Sequence, residues 1–370
     1  MTPLSMPQGL RLLLLMLIVA VPLGARAEPI TVTDMTGREI TLQAPAQRIV
    51  LAEGRHVLTL ALVAPDPVGR LVGWGNDLKR YSPETYDALR DAVPAIEDVT
   101  DLGEPMAGNF PMETVIAQRP DLVILTLYGP PPAGLEKLDA AGVPYVFVDF
   151  FQKPLERTVP SLRILGALLG EQDRTERFIR FYEAHMDRIS ERLAGLETYP
   201  EVFFHLNPGG GACCYTSGPG NMSDFIAAAG GRNIGADVVP GAIGQMNPEA
   251  VIAADPDIYL AGGGSTVAPD GLLIGPGVPD ETARRTLGHV LQAPALSHLR
   301  SVRDGRASGI WLFFFDNPLF VLGVEEMAKA FHPDLFADLD PKASLDEINR
   351  TFLPFDLSGS FAVTPTGQGQ

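Results

Sequence analysis

The chain has 370 residues, of which 46% are hydrophobic and 20% are charged. This composition excludes a disordered chain or a fibrous repeat, and the length fits two domains of roughly 150 residues each. The 28 basic and 45 acidic residues give a formal net charge of −17, which disfavours contact with phosphate backbones and anionic lipid. We therefore expect a globular protein that does not bind nucleic acid.

The first 27 residues have the pattern of a secretory signal. Arg11 is followed by an unbroken apolar run at 12–21, and the segment ends in Ala25-Arg26-Ala27. This run is shorter than the roughly 20 residues that span a bilayer, which favours a cleaved signal peptide over a retained anchor. The next residue is Glu28, not a cysteine that could carry a lipid. We expect cleavage after Ala27 and export from the cytoplasm.

After an extended start at 30–42, short apolar segments alternate with helical segments. The predicted strands cover 48–52, 68–74, 121–127, 144–149, 201–206, 257–260 and 309–314. Such alternation indicates βαβ units and mostly parallel sheets. No strand pattern appears from 155 to 196, where apolar residues recur at three- and four-residue spacing. That spacing predicts a helix of about 20 residues from Glu171 onward, with Gly170 as a possible interruption before it.

These segments divide the chain into four parts. We predict a signal peptide at 1–27, an N-terminal α/β lobe at 28–153, a linker helix at 154–196, and a C-terminal α/β lobe with a tail at 197–370. The predicted fold class is α/β, with two Rossmann-like lobes of mostly parallel sheets joined by a single long rigid helix.

A weak internal repeat supports the two-lobe interpretation. The segment ETVIAQRPD at 113–121 recurs 136 residues later as EAVIAADPD at 249–257, with six of nine positions identical. In each copy an acid begins a short helix, a proline ends it, and an apolar strand follows. Helix capping alone explains either glutamate, because an acid near a helix N-terminus is favourable wherever it occurs, but it explains the duplication poorly.

Several segments, taken in order and spacing, resemble one family of proteins. They are the opening strand at 48–52, PMETVIAQRPDLVIL at 111–125, the helix after PYVFVD at 144–149, YTSGPGNMSDFIAAAGGRNI at 215–234, and NPEAVIAADPDIYLAGG at 247–263. Together they resemble the periplasmic substrate-binding proteins of ABC importers that carry iron–siderophore complexes, haem or cobalamin. The resemblance covers the chain from Ile30 to about Leu335. It implies two α/β lobes joined by one helix, with the ligand in the cleft between them.

The same resemblance implies a function in transport. It predicts a periplasmic, monomeric protein that delivers a ferric siderophore to an inner-membrane ABC permease, without a cofactor or catalysis. Glu113 and Glu249 match the acid on each lobe that docks against permease arginines, with simple helix capping as the alternative. Cobalamin or haem binding is the nearest alternative function, followed by bare zinc or manganese binding and then by a secreted two-lobed enzyme. The sequence lacks a Walker A loop, an HExxH motif and a GxSxG motif, which disfavours the enzyme.

Aromatic and basic residues at predicted strand ends are the candidate ligand contacts. In a two-lobe fold these ends face the cleft, where aromatic faces suit a large chelate and an arginine can meet its anionic oxygens. The candidates are Arg55, Trp74, Tyr128, Tyr215 and Trp311, with Lys79 and Arg80 as weaker ones. The alternative for the aromatic residues is core packing.

Histidine and cysteine residues leave further alternatives open. His56 and His205 follow or end the first strand of each lobe and could face the cleft, as polar lining or as ligands of a bare metal. A stable metal site needs three or four ligands, and the chain has no His-rich segment. Cys213 and Cys214 are adjacent, and could form a vicinal disulfide, remain two buried thiols or bind a metal. The sequence predicts no metal site.

Overall fold

The computed structural model describes residues 28–104, 110–209, 213–266 and 270–365. The predicted signal peptide at 1–27 lies outside these residues. The described chain forms two α/β lobes, each built on a five-stranded sheet, and the predicted fold class is confirmed. In the part of the chain that is described, no helix combines the length and apolarity needed to cross a membrane.

Lobe one begins with a hairpin and continues as a parallel sheet in the order β5-β4-β3-β6-β7. Its strands are β1 (Ile30–Thr33), β2 (Glu39–Leu42), β3 (Ile49–Leu51), β4 (Leu71–Trp74), β5 (Thr100–Asp101), β6 (Leu122–Thr126) and β7 (Tyr145–Val148). Its helices are α1 (Val57–Val63), α2 (Asp77–Tyr81), α3 (Pro83–Ala92), α4 (Met112–Ala117) and α5 (Glu136–Ala140). Every residue of β6 and β7 is buried, as expected where both faces of a parallel sheet are covered.

The segment between the lobes contains two helices, α6 (Pro154–Leu169) and α7 (Gln172–Leu193). Gly170 adopts a left-handed conformation with φ of 72°, which ends α6 in a way that suits glycine. α6 packs on β1 and β7 of lobe one. The 22-residue α7 buries one apolar stripe and packs against α1 of lobe one and α12 of lobe two. The range 154–196, predicted as one linker helix, thus contains two helices, and α7 covers the part predicted to be helical from Glu171 onward.

Lobe two has the sheet order β10-β8-β12-β14-β16. Neighbouring strands are parallel except for the pair β14–β16, which is antiparallel. Its strands are β8 (Glu201–Leu206), β9 (Tyr215–Ser217), β10 (Arg232–Asn233), β11 (Ile243–Gln245), β12 (Ile258–Gly263), β13 (Gly275–Pro276), β14 (Ala307–Trp311), β15 (Gly359–Ser360) and β16 (Ala362–Val363). Its helices are α8 (Met222–Ala228), α9 (Pro248–Ala254), α10 (Asp280–Val290), α11 (Arg300–Arg303), α12 (Phe320–Phe331) and α13 (Pro341–Thr351). The small pairs β9–β11 and β13–β15 lie outside the main sheet.

Side chains of α7 form hydrogen bonds with residues of both lobes. Arg174 donates to the carbonyl of Ala61 in lobe one at 3.0 Å and to that of Phe352 near the C-terminus at 2.6 Å. Farther along α7, His185 Nδ1 lies 2.6 Å from Glu325 Oε1 on α12 of lobe two. The linker helix is therefore packed along its length rather than free between the lobes.

The internal repeat occupies equivalent positions in the two sheets. α4–β6 and α9–β12 correspond, since β6 pairs with β3 and β7, and β12 pairs with β8 and β14. Each helix is followed by a residue with positive φ, 47° at Arg119 and 42° at Asp255, directly before the shared proline. The repeat therefore preserves backbone conformation as well as sequence.

The aspartate that closes each repeat has the same structural role in both lobes. Asp121 accepts a hydrogen bond from the backbone N–H of Arg48, just before β3, at 2.9 Å. Asp257 accepts one from the backbone N–H of Glu201, at the start of β8, at 3.0 Å. Each carboxylate thus satisfies a backbone donor at the beginning of the neighbouring strand and ties the helix–strand unit to its sheet.

Candidate ligand-binding cleft

The carboxyl ends of the strands of lobe one face the end of β14 from lobe two. A 3-10 helix at Gly54–His56 follows β3, and a second one at Leu312–Asp316 follows β14. Tyr128 lies two residues beyond the end of β6. Because ligands of open α/β sheets bind beyond the carboxyl ends of the strands, this interface is the candidate binding cleft.

Arg55 lies between two carboxylates and connects the lobes. Its Nε is 3.1 Å from Asp77 Oδ2 in lobe one and 2.8 Å from Asp316 Oδ2 in lobe two. All three side chains are buried. Burial would lower the pKa of Arg55, but Asp316, with Tyr128 and Asp77, outweighs burial and raises that pKa. The guanidinium therefore stays charged, with its charge balanced from both lobes.

Asp316 also binds two other groups of lobe one. The Tyr128 hydroxyl donates to Asp316 Oδ2 at 2.7 Å, and His56 Nε2 lies 3.6 Å from the same oxygen. Burial would raise the pKa of Asp316, but Arg55 and His56 outweigh burial and lower it. Burial, reinforced by Asp316, raises the pKa of Tyr128 well above its usual value. Asp316 is thus an anionic acceptor for a neutral tyrosine.

Glu53 is a third buried acid, two residues after β3, beside the ion cluster formed by Arg55, His56, Asp77, Tyr128 and Asp316. Burial raises its pKa to about 7, partly offset by His56. His56 itself is buried, and its Nδ1 lies 3.0 Å from the Thr126 hydroxyl. Because the pKa of Glu53 is near neutrality, this carboxyl can exchange a proton under physiological conditions.

Five half-buried aromatic side chains form a continuous series of ring contacts across the cleft. We call them the cleft aromatic set: Tyr81, Tyr128, Phe151, Phe313 and Phe315. Tyr81 stacks on Phe313 at 6.3 Å between ring centroids, and Phe313 contacts Phe315 at 5.9 Å. Phe315 meets Phe151 at 5.8 Å, and Phe151 meets Tyr128 at 5.1 Å. The series passes from lobe one to lobe two and back.

The two tryptophans predicted as ligand contacts lie behind this set. Trp74, at the end of β4, is completely buried and packs against Tyr86. Trp311, at the end of β14, is 2% exposed and packs against Phe314 and Phe361. Both indoles are buried in this conformation, and their predicted contact with a ligand stays a prediction.

The remaining predicted cleft residues are placed differently from one another. Tyr215 lies on the separate pair β9–β11 and is 47% exposed. Lys79 Nζ lies 5.4 Å from the centroid of the Trp74 ring. Arg80 pairs with Glu104. Only Arg55 and Tyr128, of the five predicted ligand contacts, belong to the described cluster around Asp316.

One pocket reaches the cluster. It is lined by Arg55, Leu58, Asp77, Leu78, Tyr81, Ser82, Thr85, Trp311, Phe313 and Asn317. Its volume is about 10 Å³, which is no more than one water molecule needs. A large ligand therefore cannot enter this pocket unless the lobes separate or the ligand lies over its aromatic rim.

Glu113 and Glu249 lie in the first turns of α4 and α9, and both are exposed to solvent. Glu113 Oε1 accepts from Lys137 Nζ at 2.6 Å, and this hydrogen bond lowers the pKa of Glu113. The backbone N–H of Glu249 donates to Asn247 Oδ1 at 2.8 Å, so Asn247 is the residue that caps α9. The Glu249 carboxylate is thus not needed as the cap.

Several residues of the cleft were not predicted from the sequence. Asp77 and Asp316 are the main ones, together with Tyr81 and Asn221, whose amide donates to the Phe151 carbonyl of lobe one at 2.9 Å. Asp316 directly follows the WLFFF segment at 311–315, and Asp77 comes three residues after Trp74. An acid just beyond a predicted strand end was therefore the available signal.

A family model described as periplasmic binding protein matches residues 60–308. A search of curated proteins finds no match.

Solved structures with this fold cover most of the chain. The TroA-like periplasmic binding protein FepB from Veillonella parvula is 25% identical, with a TM-score of 0.81 over 91% of this chain and 100% of that one. The molybdate-binding MolA from Haemophilus influenzae is 16% identical, with a TM-score of 0.68 over 89% and 99%. A periplasmic haem-binding protein from Pseudomonas aeruginosa is 24% identical, with a TM-score of 0.57 over 78% and 94%.

Proposed function

We propose that this chain, which belongs to the periplasmic binding protein family, binds a ferric siderophore between its lobes and delivers it to an ABC permease. Members of this class bind a substrate for transport, and the fold agrees with that role. The proposal adds the chemistry of the ligand, the residues that contact it and the surface that docks.

The observation that carries the proposal is the cleft aromatic set. Its rings are contributed by both lobes and remain half-buried, while the neighbouring tryptophans are buried. A large chelate with aromatic or aliphatic arms gains from such a surface through ring stacking and apolar burial. A small hydrated ion or oxyanion gains nothing comparable from five aromatic rings.

Arg55 supplies the charge that a ferric chelate requires. Siderophores bind iron through anionic oxygens, which an arginine can meet by charge-assisted hydrogen bonds. In the present conformation Asp316 Oδ2 occupies this position, 2.8 Å from Arg55 Nε and 2.7 Å from the Tyr128 hydroxyl. We propose that chelate oxygens replace the Asp316 carboxylate at Arg55 and Tyr128 when ligand binds.

Titrations of the purified mature chain test the proposal. Ferric hydroxamate and ferric catecholate siderophores, haem and cobalamin would be compared by quenching of intrinsic fluorescence. We expect saturable binding of a ferric siderophore. We expect Phe315→Ala and Tyr81→Ala each to weaken it about ten-fold, corresponding to about 1.4 kcal/mol per ring.

Tyr199→Ala is the matched control, because Tyr199 is 49% exposed, six residues after α7, and lies outside the cleft aromatic set. It should leave the affinity unchanged. Binding of haem or cobalamin without any ferric siderophore would assign the protein to that alternative of the same class. Affinity that is equal in all three variants would contradict the proposed binding surface.

Glu113 and Glu249 complete the proposal as the docking residues. They occupy equivalent, solvent-exposed places on α4 and α9, one on each lobe. Two such acids can meet two permease arginines, which gives orientation as well as affinity. A periplasmic location also requires export, for which the predicted signal peptide at 1–27, cleaved after Ala27, is the proposed route.

A further inference from the structure

A second group of potential ligand atoms lies in lobe two, apart from the cluster around Asp316. One ring nitrogen of His205 and the sulfur atoms of Cys213 and Cys214 lie within 4.8 Å of one another. His205 is in β8, and the cysteines precede β9. His205 and Cys214 are buried, whereas Cys213 is half-buried. Cys213 is thus the more exposed of the two cysteines.

Hydrogen bonds from a neighbouring strand hold the backbone of both cysteines in place. The Cys214 carbonyl accepts from the backbone N–H of Met246 at 2.9 Å, and the Cys213 carbonyl accepts from Gln245 Nε2 at 2.8 Å. These bonds attach the two cysteines to β11 and the residue after it. The positions of the sulfurs are thus supported by more than their own loop.

The histidine is prepared to act as a ligand. Its Nδ1 lies 2.8 Å from the hydroxyl of Tyr259 on β12, an oriented contact of the kind that fixes a metal-binding imidazole.

We propose that His205, Cys213 and Cys214 form a redox-controlled site for one soft, thiophilic cation of the Cu⁺ type. Two sulfurs and one imidazole nitrogen are a donor set that favours such ions over hard cations. In the structure the sulfurs are joined as a disulfide, which has no thiolate to offer. The oxidised pair therefore does not bind the cation.

A dithiol reductant opens the site by thiol–disulfide exchange. The two thiols of the reductant become a disulfide, while the bond between Cys213 and Cys214 breaks and each sulfur takes up one proton. Two electrons and two protons therefore pass from the reductant to the cysteine pair. Cu⁺ then binds as the two thiol protons are released to solvent.

Cu⁺ binding to the whole mature protein under anaerobic conditions tests the proposal. Protein reduced with a dithiol, then freed of reductant, and protein left oxidised would each compete for Cu⁺ with a coloured Cu⁺ chelator. We expect one Cu⁺ per reduced chain and none on the oxidised chain. His205→Gln should weaken binding at least about ten-fold, and Cys213→Ser with Cys214→Ser should abolish it.

His332→Gln is the matched control, because His332 is another lobe-two histidine, bonded to the Gly230 carbonyl at 2.8 Å. It should bind Cu⁺ like wild type. Failure of the reduced protein to retain Cu⁺, or unchanged affinity in His205→Gln, would overturn the three-ligand site. If a variant does not fold, X-ray absorption at the copper edge of the wild-type complex decides instead. Two sulfurs and one nitrogen support the site, and any other shell contradicts it.

Discussion

Asp316 of lobe two accepts a hydrogen bond from the hydroxyl of Tyr128 in lobe one at 2.7 Å. The same carboxylate oxygen is 2.8 Å from Arg55 Nε. A single carboxylate, which no sequence motif indicates, thus joins the lobes at two points. In the proposed function it also occupies the place that the chelate oxygens take.

Replacing this carboxylate should destabilise the protein. Asp316→Asn preserves the size of the side chain but leaves Arg55 with only part of its compensating charge in a buried site. Because breaking a buried ion pair is strongly destabilising, we expect the free energy of unfolding to fall by about 3 kcal/mol. Urea denaturation measures the change. Asp338→Asn, which breaks an exposed pair with Arg192, should have a far smaller effect, and equal losses would contradict the assignment.

Glu53 should make stability depend on pH near neutrality. Its pKa is about 7 in the folded protein and 4.5 as the ordinary value, so the folded chain binds more protons between these limits. This group therefore stabilises the fold fully below pH 4.5, and its contribution is lost as pH rises to 7. Glu53→Gln, which mimics the protonated form, should gain stability over wild type by roughly 3 kcal/mol at pH 8 and little at pH 4.

Chemical denaturation of wild type and Glu53→Gln between pH 4 and 8 measures this difference. The difference in free energy of unfolding between the two proteins at each pH cancels the contributions of other titrating groups. These include Glu326, whose pKa is also raised by burial to about 7. A difference that does not vary with pH would mean that Glu53 titrates normally in the folded protein.

Charge reversal at Glu113 and Glu249 should separate transport from ligand binding. Glu113→Arg with Glu249→Arg places like charges against the permease arginines of the proposed docking surface. We expect uptake in cells to be abolished, with ligand affinity and melting temperature close to wild type, and each single change to cause a partial defect. Uptake assays and titrations measure these properties.

Glu191→Arg with Glu281→Arg is the control for this experiment, because both acids are exposed on other helices, α7 and α10. It should transport normally. Loss of ligand affinity in the Glu113 and Glu249 double variant would place these residues at the ligand. A large fall in its melting temperature, with transport intact, would make them helix caps.

The packing of α7 limits how far the lobes can close. Contacts of this helix with both lobes resist bending, unlike a hinge of two or three flexible strands. We expect small-angle scattering with and without a ferric siderophore to show only a slight decrease in the radius of gyration. The contraction typical of wide hinge closure would contradict a rigid connection.

The sequence predicts the two lobes and the linker helix because their signals are local. Continuous apolar strands such as 121–127 and the apolar spacing from Phe178 onward each report on one element. The pairs β9–β11 and β13–β15 have strands of two or three residues, too short to show a period. β16 joins the sheet through two residues near the C-terminus, which no local pattern indicates.

The site was harder to predict because its geometry depends on contacts distant in sequence. Arg55 and Asp316 are far apart in the chain and meet only when the two lobes come together. Burial also separates aromatic residues that look alike in sequence. Trp311 and Phe314 are buried, whereas Phe313 and Phe315 are half-buried and contact the rings of Tyr81 and Phe151 from lobe one.

The hydrogen bonds of Asp121 and Asp257 have a consequence for Glu113 and Glu249. Each aspartate attaches its helix–strand unit to the backbone of the adjacent strand, so we expect each glutamate to keep a fixed position relative to its own sheet. The distance between the two glutamates would then depend on the angle between the lobes. A permease that binds both acids, as proposed above, would detect a small rotation of the lobes about α7 as a change in this distance, without contact with the ligand.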